Sequence, residues 1–133
     1  MNILGIDYGR AHKGLAIGDT GTKIAMPLKT FDHLSHVDFI KELKKIILSY
    51  RIDLLVVGVP VTWPEDKNRL GMRDEVEKFA KLISQELNMP VELIDERYTS
   101  DAAKKLRKEY PLGNEHALSA MLILQTYFDR GVN

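Results

Sequence analysis

The sequence contains no cysteine, no long apolar run and no excess of either charge. The absence of cysteine excludes disulfides and thiolate metal sites, so any bound metal must be held by oxygen or imidazole ligands. Without a run of about 20 apolar residues, the chain is predicted to have no membrane-spanning helix and no membrane partner. The 19 basic and 19 acidic residues give a formal net charge of zero, which provides no global electrostatic attraction to nucleic acid.

The composition that remains is typical of a folded globular protein. The 133 residues are 44% hydrophobic and 29% charged, which predicts a single domain over 1–133 with one core and one site. The first residues reach acidic and glycine positions at once and lack the basic and apolar regions of a secretory signal. We therefore expect the protein in the cytoplasm.

Five segments have the patterns of β-strands. Strands are predicted over 2–7, 15–18 and 23–30, the first two as a hairpin, and Pro27 indicates an edge or a bend in the third. The continuously apolar run 53–58 predicts a strand in the middle of the sheet that is covered on both faces. Val91–Ile94 supplies a fifth strand.

Helical spacing of apolar residues separates and follows these strands. Ser35 and Asp38 form a capping pair before a helix over 36–50, and a second helix with apolar residues from Val76 to Leu87 is ended by Asn88 and Pro90. The stretch 60–70, with Trp63, is predicted to be an exposed or lid-like loop.

Two helices close the sequence. A basic helix is predicted over 99–110, and a final helix near 115–129 is apolar nearly all round and should be buried. The order of elements predicts an α/β fold with a five-stranded mixed sheet, three antiparallel strands first, flanked by helices.

Carboxylates stand where two predicted strands end. Asp7 ends the first strand, and Asp95 and Glu96 follow the fifth. Asp7 could merely start a turn, and the acids near 95 could cap a helix. Parallel strands would instead bring these acids together at one sheet edge, where their repulsion calls for a cation such as Mg²⁺ or Mn²⁺. Such metals activate water for phosphodiester hydrolysis.

Further ligands and cations come from the last third of the chain. Either Glu115 or His116, at the start of the final helix, could complete the metal ligands, although Glu115 also suits a helix N-terminus and a lone histidine is often merely packed. Residues that could contact phosphates, or simply form a solvated face, are basic: Arg10, Lys13, Arg97, Lys104, Lys105, Arg107 and Lys108. The other histidines, His12, His33 and His36, lack metal-ligand spacing, and the last two are expected on a surface loop.

Several motifs together resemble the YqgF/RuvX family, and they cover nearly the whole chain in that family's order. They are Gly5-Ile-Asp7-Tyr-Gly9-Arg10, Ala25-Met-Pro27-Leu, Val57-Gly58-Val-Pro60, Asp95-Glu96-Arg97 and Ala120-Met-Leu-Ile-Leu-Gln125. The resemblance implies a ribonuclease H-like fold, akin to Holliday-junction resolvases, and a nuclease that matures the 5′ end of pre-16S ribosomal RNA. Junction resolution in DNA is the older proposal for the family.

The resemblance also assigns residues. Asp7 matches the family's first catalytic carboxylate and Glu96 the second, and Arg97 would lie beside the phosphates. The family's final aspartate falls on His116, with Glu115 next to it. An imidazole binds Mg²⁺ or Mn²⁺ weakly and prefers softer metals, so this difference could shift the metal preference, or His116 could act in proton transfer.

Two other readings remain beside the nuclease. A non-catalytic RNA-binding factor in ribosome assembly is compatible with zero net charge and with His116. An actin-like fold binds ATP between two domains, and this chain has room for one and lacks the second half that such a cleft requires. For the nuclease we expect nucleic acid as the partner, pre-rRNA rather than branched DNA, together with a pre-ribosomal particle. The protein would act as a monomer or a homodimer.

Overall fold

The computed structural model describes residues 1–60, 67–96 and 115–130, with residues 67–70 and Glu96 described by their backbone only. It contains five strands and three helices in this part of the chain. In chain order they are β1 (Asn2–Tyr8), β2 (His12–Asp19), β3 (Ile24–Asp32), α1 (His36–Tyr50), β4 (Ile52–Pro60), α2 (Lys67–Leu87), β5 (Val91–Glu96) and α3 (Glu115–Arg130).

The five strands form one mixed sheet in the order β3-β2-β1-β4-β5. The pairs β1–β2 and β2–β3 are antiparallel, and β4 pairs in parallel with both β1 and β5. This arrangement confirms the predicted fold class, with three antiparallel strands first and the apolar β4 inside the sheet. Because β1, β4 and β5 are parallel, their carboxyl ends meet at one edge.

The edge strand β3 carries an irregularity at the proline that the sequence marks. Ala16 of β2 lies opposite Pro27, but Leu15 lies opposite Lys29, so β3 contains one residue more than β2 at this point. A proline has no backbone N–H to donate, and such bulges are common at sheet edges. Beyond the shift, the register places Asp32 opposite His12.

Helices cover both faces of the sheet. On one face α1 and α2 enclose the α1/α2 core, which includes Leu4, Ile6, Phe39, Leu55 and Phe79. On the other face α3 encloses the α3 core, which includes Ile3, Val56, Leu118, Leu124 and Phe128. Neighbouring residues of β1 and β4 alternate between the two cores, as a strand buried on both faces requires.

Helix α3 lies directly against the backbone of β1 and β2 because three glycines face it. A Cβ atom at Gly5 would lie 2.9 Å from Cβ of Leu124, one at Gly18 would lie 2.6 Å from the Phe128 ring, and one at Gly14 would overlap the carbonyl group of His116. The helix residues at this contact are four apart and form one stripe: His116, Ala120, Leu124 and Phe128. The predicted burial of the last helix is confirmed.

The second half of α3 is also tied to the edge strand by Gln125. Its Nε2 donates to the carbonyl oxygen of Lys23 at 2.9 Å, and its Oε1 accepts from the backbone N–H of Ala25 at 3.1 Å. These bonds satisfy backbone groups of Ala25 in β3 and of Lys23 just before it, at an edge with no further strand to pair with. The glutamine that ends the apolar motif 120–125 therefore fixes the orientation of the helix on the sheet.

The predicted extent of the loop 60–70 is wrong. Helix α2 begins at Lys67, inside the stretch 60–70 that was predicted to be a loop. Its first turns are polar, but Met72 packs on the α1/α2 core and Arg73 pairs with Glu77 at 3.1 Å. Tertiary packing and an i,i+4 ion pair thus extend the helix where the sequence shows little apolar periodicity. Trp63 and the predicted helix 99–110 lie outside the described residues.

No helix in the described part of the chain is both long and apolar enough to cross a bilayer.

The glycine contacts make a direct prediction for stability. Gly14→Ala should lower the free energy of unfolding by roughly 1–3 kcal/mol, because the added Cβ overlaps the backbone of α3 and the helix must shift. The control is Gly71→Ala in α2, where a Cβ meets nothing within 4 Å and helix propensity should add up to about 1 kcal/mol. Urea unfolding measures both, and equal effects of the two variants would contradict the direct contact of α3 with the sheet.

Candidate active site at the carboxyl end of the central strand

Asp7 lies near the carboxyl end of β1, opposite Gly14 of β2. Its neighbours Ile6 and Tyr8 point into the α1/α2 core, so the alternation of the strand turns Asp7 toward α3. The side chain is 17% exposed. A carboxylate is therefore held on a rigid strand at the sheet edge, open enough to meet a ligand.

His116, in the first turn of α3, is the residue that the fold brings to Asp7. Its Nδ1 lies 3.8 Å from Oδ2 of Asp7, and its side chain is 37% exposed. This distance exceeds that of a hydrogen bond, so the contact is an ion pair when the imidazole is protonated. The Asp7 carboxylate raises the pKa of His116 above its usual value, with smaller contributions from the charges of Glu115 and Asp32, while burial opposes the shift.

Two further histidines extend from this pair across β2 to the end of β3. The His12 ring stacks on the His116 ring with centroids 4.7 Å apart and an angle of 19°. His12 Nδ1 lies 2.6 Å from Oδ1 of Asp32, and the His33 ring lies 5.5 Å from the His12 ring. Neither His12 nor Asp32 was predicted to belong to the site, because their approach depends on strand register rather than on sequence spacing.

Asp95 does not join Asp7. Its neighbour Ile94 points into the α3 core, so Asp95 faces the opposite side of the sheet, where its Oδ1 accepts a hydrogen bond from Nη1 of Arg73 at 3.1 Å. The same guanidinium nitrogen donates to the carbonyl oxygen of Pro60 at 3.1 Å. The expectation that Asp95 helps to hold a metal with Asp7 is at odds with this placement.

The other two predicted acidic ligands lie at element ends near Asp7. Glu96 is the last residue of β5, and its backbone pairs with Pro60 of β4. Only β4 separates β1 from β5, so the carboxyl ends of these strands lie roughly 10 Å apart, two strand spacings. Glu115 is the first residue of α3 and adjoins His116.

The predicted cations divide into exposed, buried and undescribed residues. Arg10 is 76% exposed and pairs with Glu75 of α2 at 2.8 Å. Lys13 is only 2% exposed, because strand alternation turns it away from Asp7, and the prediction that it contacts phosphates does not fit this position. Arg97, Lys104, Lys105, Arg107 and Lys108 lie outside the described residues.

Lys13 and Tyr8 belong to a buried cluster beneath the site that the sequence did not indicate. The Lys13 ammonium lies 5.2 Å from the Tyr8 ring centroid and 5.6 Å from that of Phe39, and burial lowers the pKa of the lysine. Burial and the neighbouring Glu75 raise the pKa of Tyr8 to about 12. This cluster packs the β1–β2 turn against α1 and α2, and so supports the strand end that carries Asp7.

Asp7 and His116 can supply two metal ligands. Within the described residues, no three His, Asp or Glu side chains converge as a complete metal site. A carboxylate oxygen and an imidazole nitrogen 3.8 Å apart can nevertheless share one divalent ion, since each bond would measure about 2.1 Å. The pair therefore fits part of a divalent-metal site.

The Asp7–His116 contact predicts a measurable pH dependence. Because the folded-state pKa of His116 is raised, the ion pair stabilises the metal-free protein at low pH and loses this contribution as the pH rises through that value. An NMR titration of the His116 ring in metal-free protein should give a pKa above about 6.5, the unperturbed value. Asp7→Asn should lower it, whereas the control Glu86→Gln on α2 should not. An unchanged pKa in Asp7→Asn would rule out the ion pair.

Comparisons with known proteins cover most of the chain. A family model described as RuvX, Holliday junction resolvase, matches residues 1–130. A protein of Mycoplasma mobile named "Putative pre-16S rRNA nuclease" is 34% identical, over 97% of this chain and 92% of its own length. A protein of the same name from Natranaerobius thermophilus is also 34% identical, over 100% of this chain and 97% of its own length.

Solved structures of junction resolvases share the fold. RuvC of T. thermophilus in complex with a Holliday junction superposes with a TM-score of 0.67 and 16% identity, over 100% of this chain and 96% of that one. The Fowlpox virus resolvase in complex with Holliday junction DNA gives a TM-score of 0.61 and 12% identity, over 100% of both chains. The fold is ribonuclease H-like, as the sequence motifs imply, and by its sequence this chain belongs to the RuvX family.

Proposed function

We propose that this protein is a divalent-metal-dependent nuclease that hydrolyses phosphodiester bonds and processes the 5′ end of pre-16S rRNA. The observation that carries the proposal is the Asp7–His116 pair at the carboxyl end of β1. In open sheets with parallel strands, ligands bind outside the carboxyl ends of the strands. Its relatives' names and the shared fold point to the same chemistry.

Asp7, Glu96 and His116 would hold Mg²⁺ or Mn²⁺, with Glu115 as a further candidate. When bound, such ions activate water and stabilise the leaving oxygen of a phosphodiester. An imidazole ligand favours Mn²⁺ over Mg²⁺, because magnesium prefers oxygen. The ratio of activity with Mn²⁺ to activity with Mg²⁺ should therefore be higher for this protein than for a variant with a carboxylate at position 116.

The protein's own groups contribute position and charge. Asp7 is fixed by the strand, so its carboxylate needs little reorganisation to meet an ion at the sheet edge. His116, when it does not bind metal, can hold a proton at Nδ1 beside Asp7 and release it near a reacting phosphate. Two roles are thus open to the imidazole, as metal ligand or in proton transfer.

Affinity for the nucleic acid would come from local cations, since the net charge is zero. Arg10 is exposed near the end of β1, and Arg97, Lys104, Lys105 and Lys108 follow Glu96 in the sequence. Phosphate contacts by such residues make binding salt-dependent without specifying sequence. Lys13 is not included, because it is buried.

A second substrate, a four-way DNA junction, is favoured by the description of the family model and by the resolvases that share the fold. A two-fold symmetric junction would call for a homodimer, whereas processing of an RNA end needs only a monomer. Either reaction would take place in the cytoplasm, the RNA reaction on a pre-ribosomal particle.

Asp95 and Glu96 are neighbours in the sequence, but their substitutions should have different effects on the cleavage rate. Asp7→Asn and Glu96→Gln should each lower the cleavage rate roughly 100-fold or more, because each replaces an anionic metal ligand with a neutral amide that binds a divalent ion more weakly. Asp95→Asn should stay near the wild-type rate, because Asp95 faces Arg73 on the other side of the sheet. Labelled pre-16S leader RNA and a four-way DNA junction are incubated with each protein in Mg²⁺, Mn²⁺ or chelator.

Metal-dependent cleavage of RNA that is lost in Asp7→Asn supports the proposal, and cleavage of the junction alone supports the second substrate. If the wild-type protein binds RNA but cleaves neither substrate, it is a non-catalytic assembly factor. If Asp95→Asn and Glu96→Gln lower the cleavage rate equally, Asp95 belongs to the active site despite its orientation toward Arg73.

A further inference from the structure

We propose that His12, held by Asp32, is a positioning residue that fixes the ring of His116 beside Asp7. The inference rests on the proposed function, because it assigns a role to residues that support the same site. It is drawn from the stacking of His12 on His116 and from the short contact between His12 and Asp32.

His12 is itself firmly placed. It is the first residue of β2 and lies opposite Asp32 in the β2–β3 pair. Its Nδ1 lies 2.6 Å from Oδ1 of Asp32, and the His33 ring packs against it at 5.5 Å. The backbone N–H of His33 donates to the carbonyl oxygen of Ala11 at 2.7 Å, which closes the β2–β3 end around His12.

His116 needs such support, because the fold fixes its backbone and not its ring. The contact with Gly14 involves the carbonyl group of His116 and does not by itself set the orientation of the imidazole ring. The ring is partly exposed, and it pairs with Asp7 and stacks on His12. The stack disfavours rotation of the His116 ring. Such a rotation would carry Nδ1 away from Asp7.

Position matters here because one nitrogen atom carries the chemistry. Whether Nδ1 binds metal or holds a proton, it acts on the atoms next to Oδ2 of Asp7. A misplacement of about 1 Å in an active site can lower the rate roughly 100-fold. Loss of the stack should therefore lower kcat more than it raises KM, because the His12 ring positions His116 and does not itself hold the substrate.

Kinetics separate positioning from a general structural effect. His12→Ala should lower kcat roughly 10- to 100-fold, and His12→Phe, which keeps a flat ring against His116 but loses the contact with Asp32, should recover part of that loss. The control is Tyr50→Ala, which removes an exposed ring at the end of α1, at the opposite edge of the sheet from Asp7, and should change kcat by less than about 3-fold.

A double-mutant cycle then identifies the partner. In a His116→Asn background with residual activity, His12→Ala should have no further effect on kcat, because its target is gone. Independent, multiplying effects of the two substitutions would overturn the proposal. So would a His12→Phe variant that is folded and as slow as His12→Ala.

An NMR measurement on metal-free protein tests the positioning without activity. His12→Ala should move the His116 ring resonances downfield by removing the shielding of the stacked ring, and His12→Phe should keep them upfield. Unchanged His116 resonances in His12→Ala would overturn the proposal. If the wild-type protein cleaves no substrate, the proposed function fails, and the NMR result still decides whether His12 positions His116.

Discussion

The close contact between α3 and the backbone of the β1–β2 hairpin is the constraint on which the site depends. Three glycines leave room for a stripe of helix residues four apart, and the first residue of that stripe is His116. With larger side chains at these glycines, the helix would stand farther from the sheet and His116 would move away from Asp7. Gln125 fixes the other half of the helix on β3, so the helix has little freedom to slide.

The alternation of the same hairpin separates the chemistry from its support. Asp7 and His12 face α3, whereas Tyr8 and Lys13 face α1 and α2. The buried ammonium of Lys13 is tolerated because aromatic rings and the charge of Glu75 surround it. The packed Tyr8 and Lys13 side of the hairpin gives rigid support. The opposite, exposed face can therefore hold charged groups close together, as active sites require.

Much of the fold and the core of the site could be predicted from the sequence. The order of elements, the helix 36–50 and the strand ends that carry Asp7 and Glu96 follow from local patterns and motifs. The orientation of Asp95 and the burial of Lys13 could not be predicted from type and spacing, since a one-residue alternation decides which face each side chain takes.

The position of Asp32 opposite His12 could not be predicted from the sequence for a related reason. Continuing the register of Asp19 and Ile24 without a shift would set Phe31 opposite His12, and Asp32 would face the other side. The extra residue of β3 next to Pro27 moves Asp32 into place. A bulge of this kind depends on the packing of the whole edge strand. The sequence therefore shows Pro27 but does not show the register shift beside it.

In the function proposed above, Asp7 and His116 form one end of a divalent-metal site. A crystal structure of the protein grown with Mn²⁺, with anomalous differences measured for manganese, tests it most directly. We expect a peak within bonding distance of the Asp7 carboxylate and of His116 Nδ1, with Glu96 completing the ligands. Manganese bound elsewhere, with Asp7 and His116 still paired only to each other, would contradict the claim.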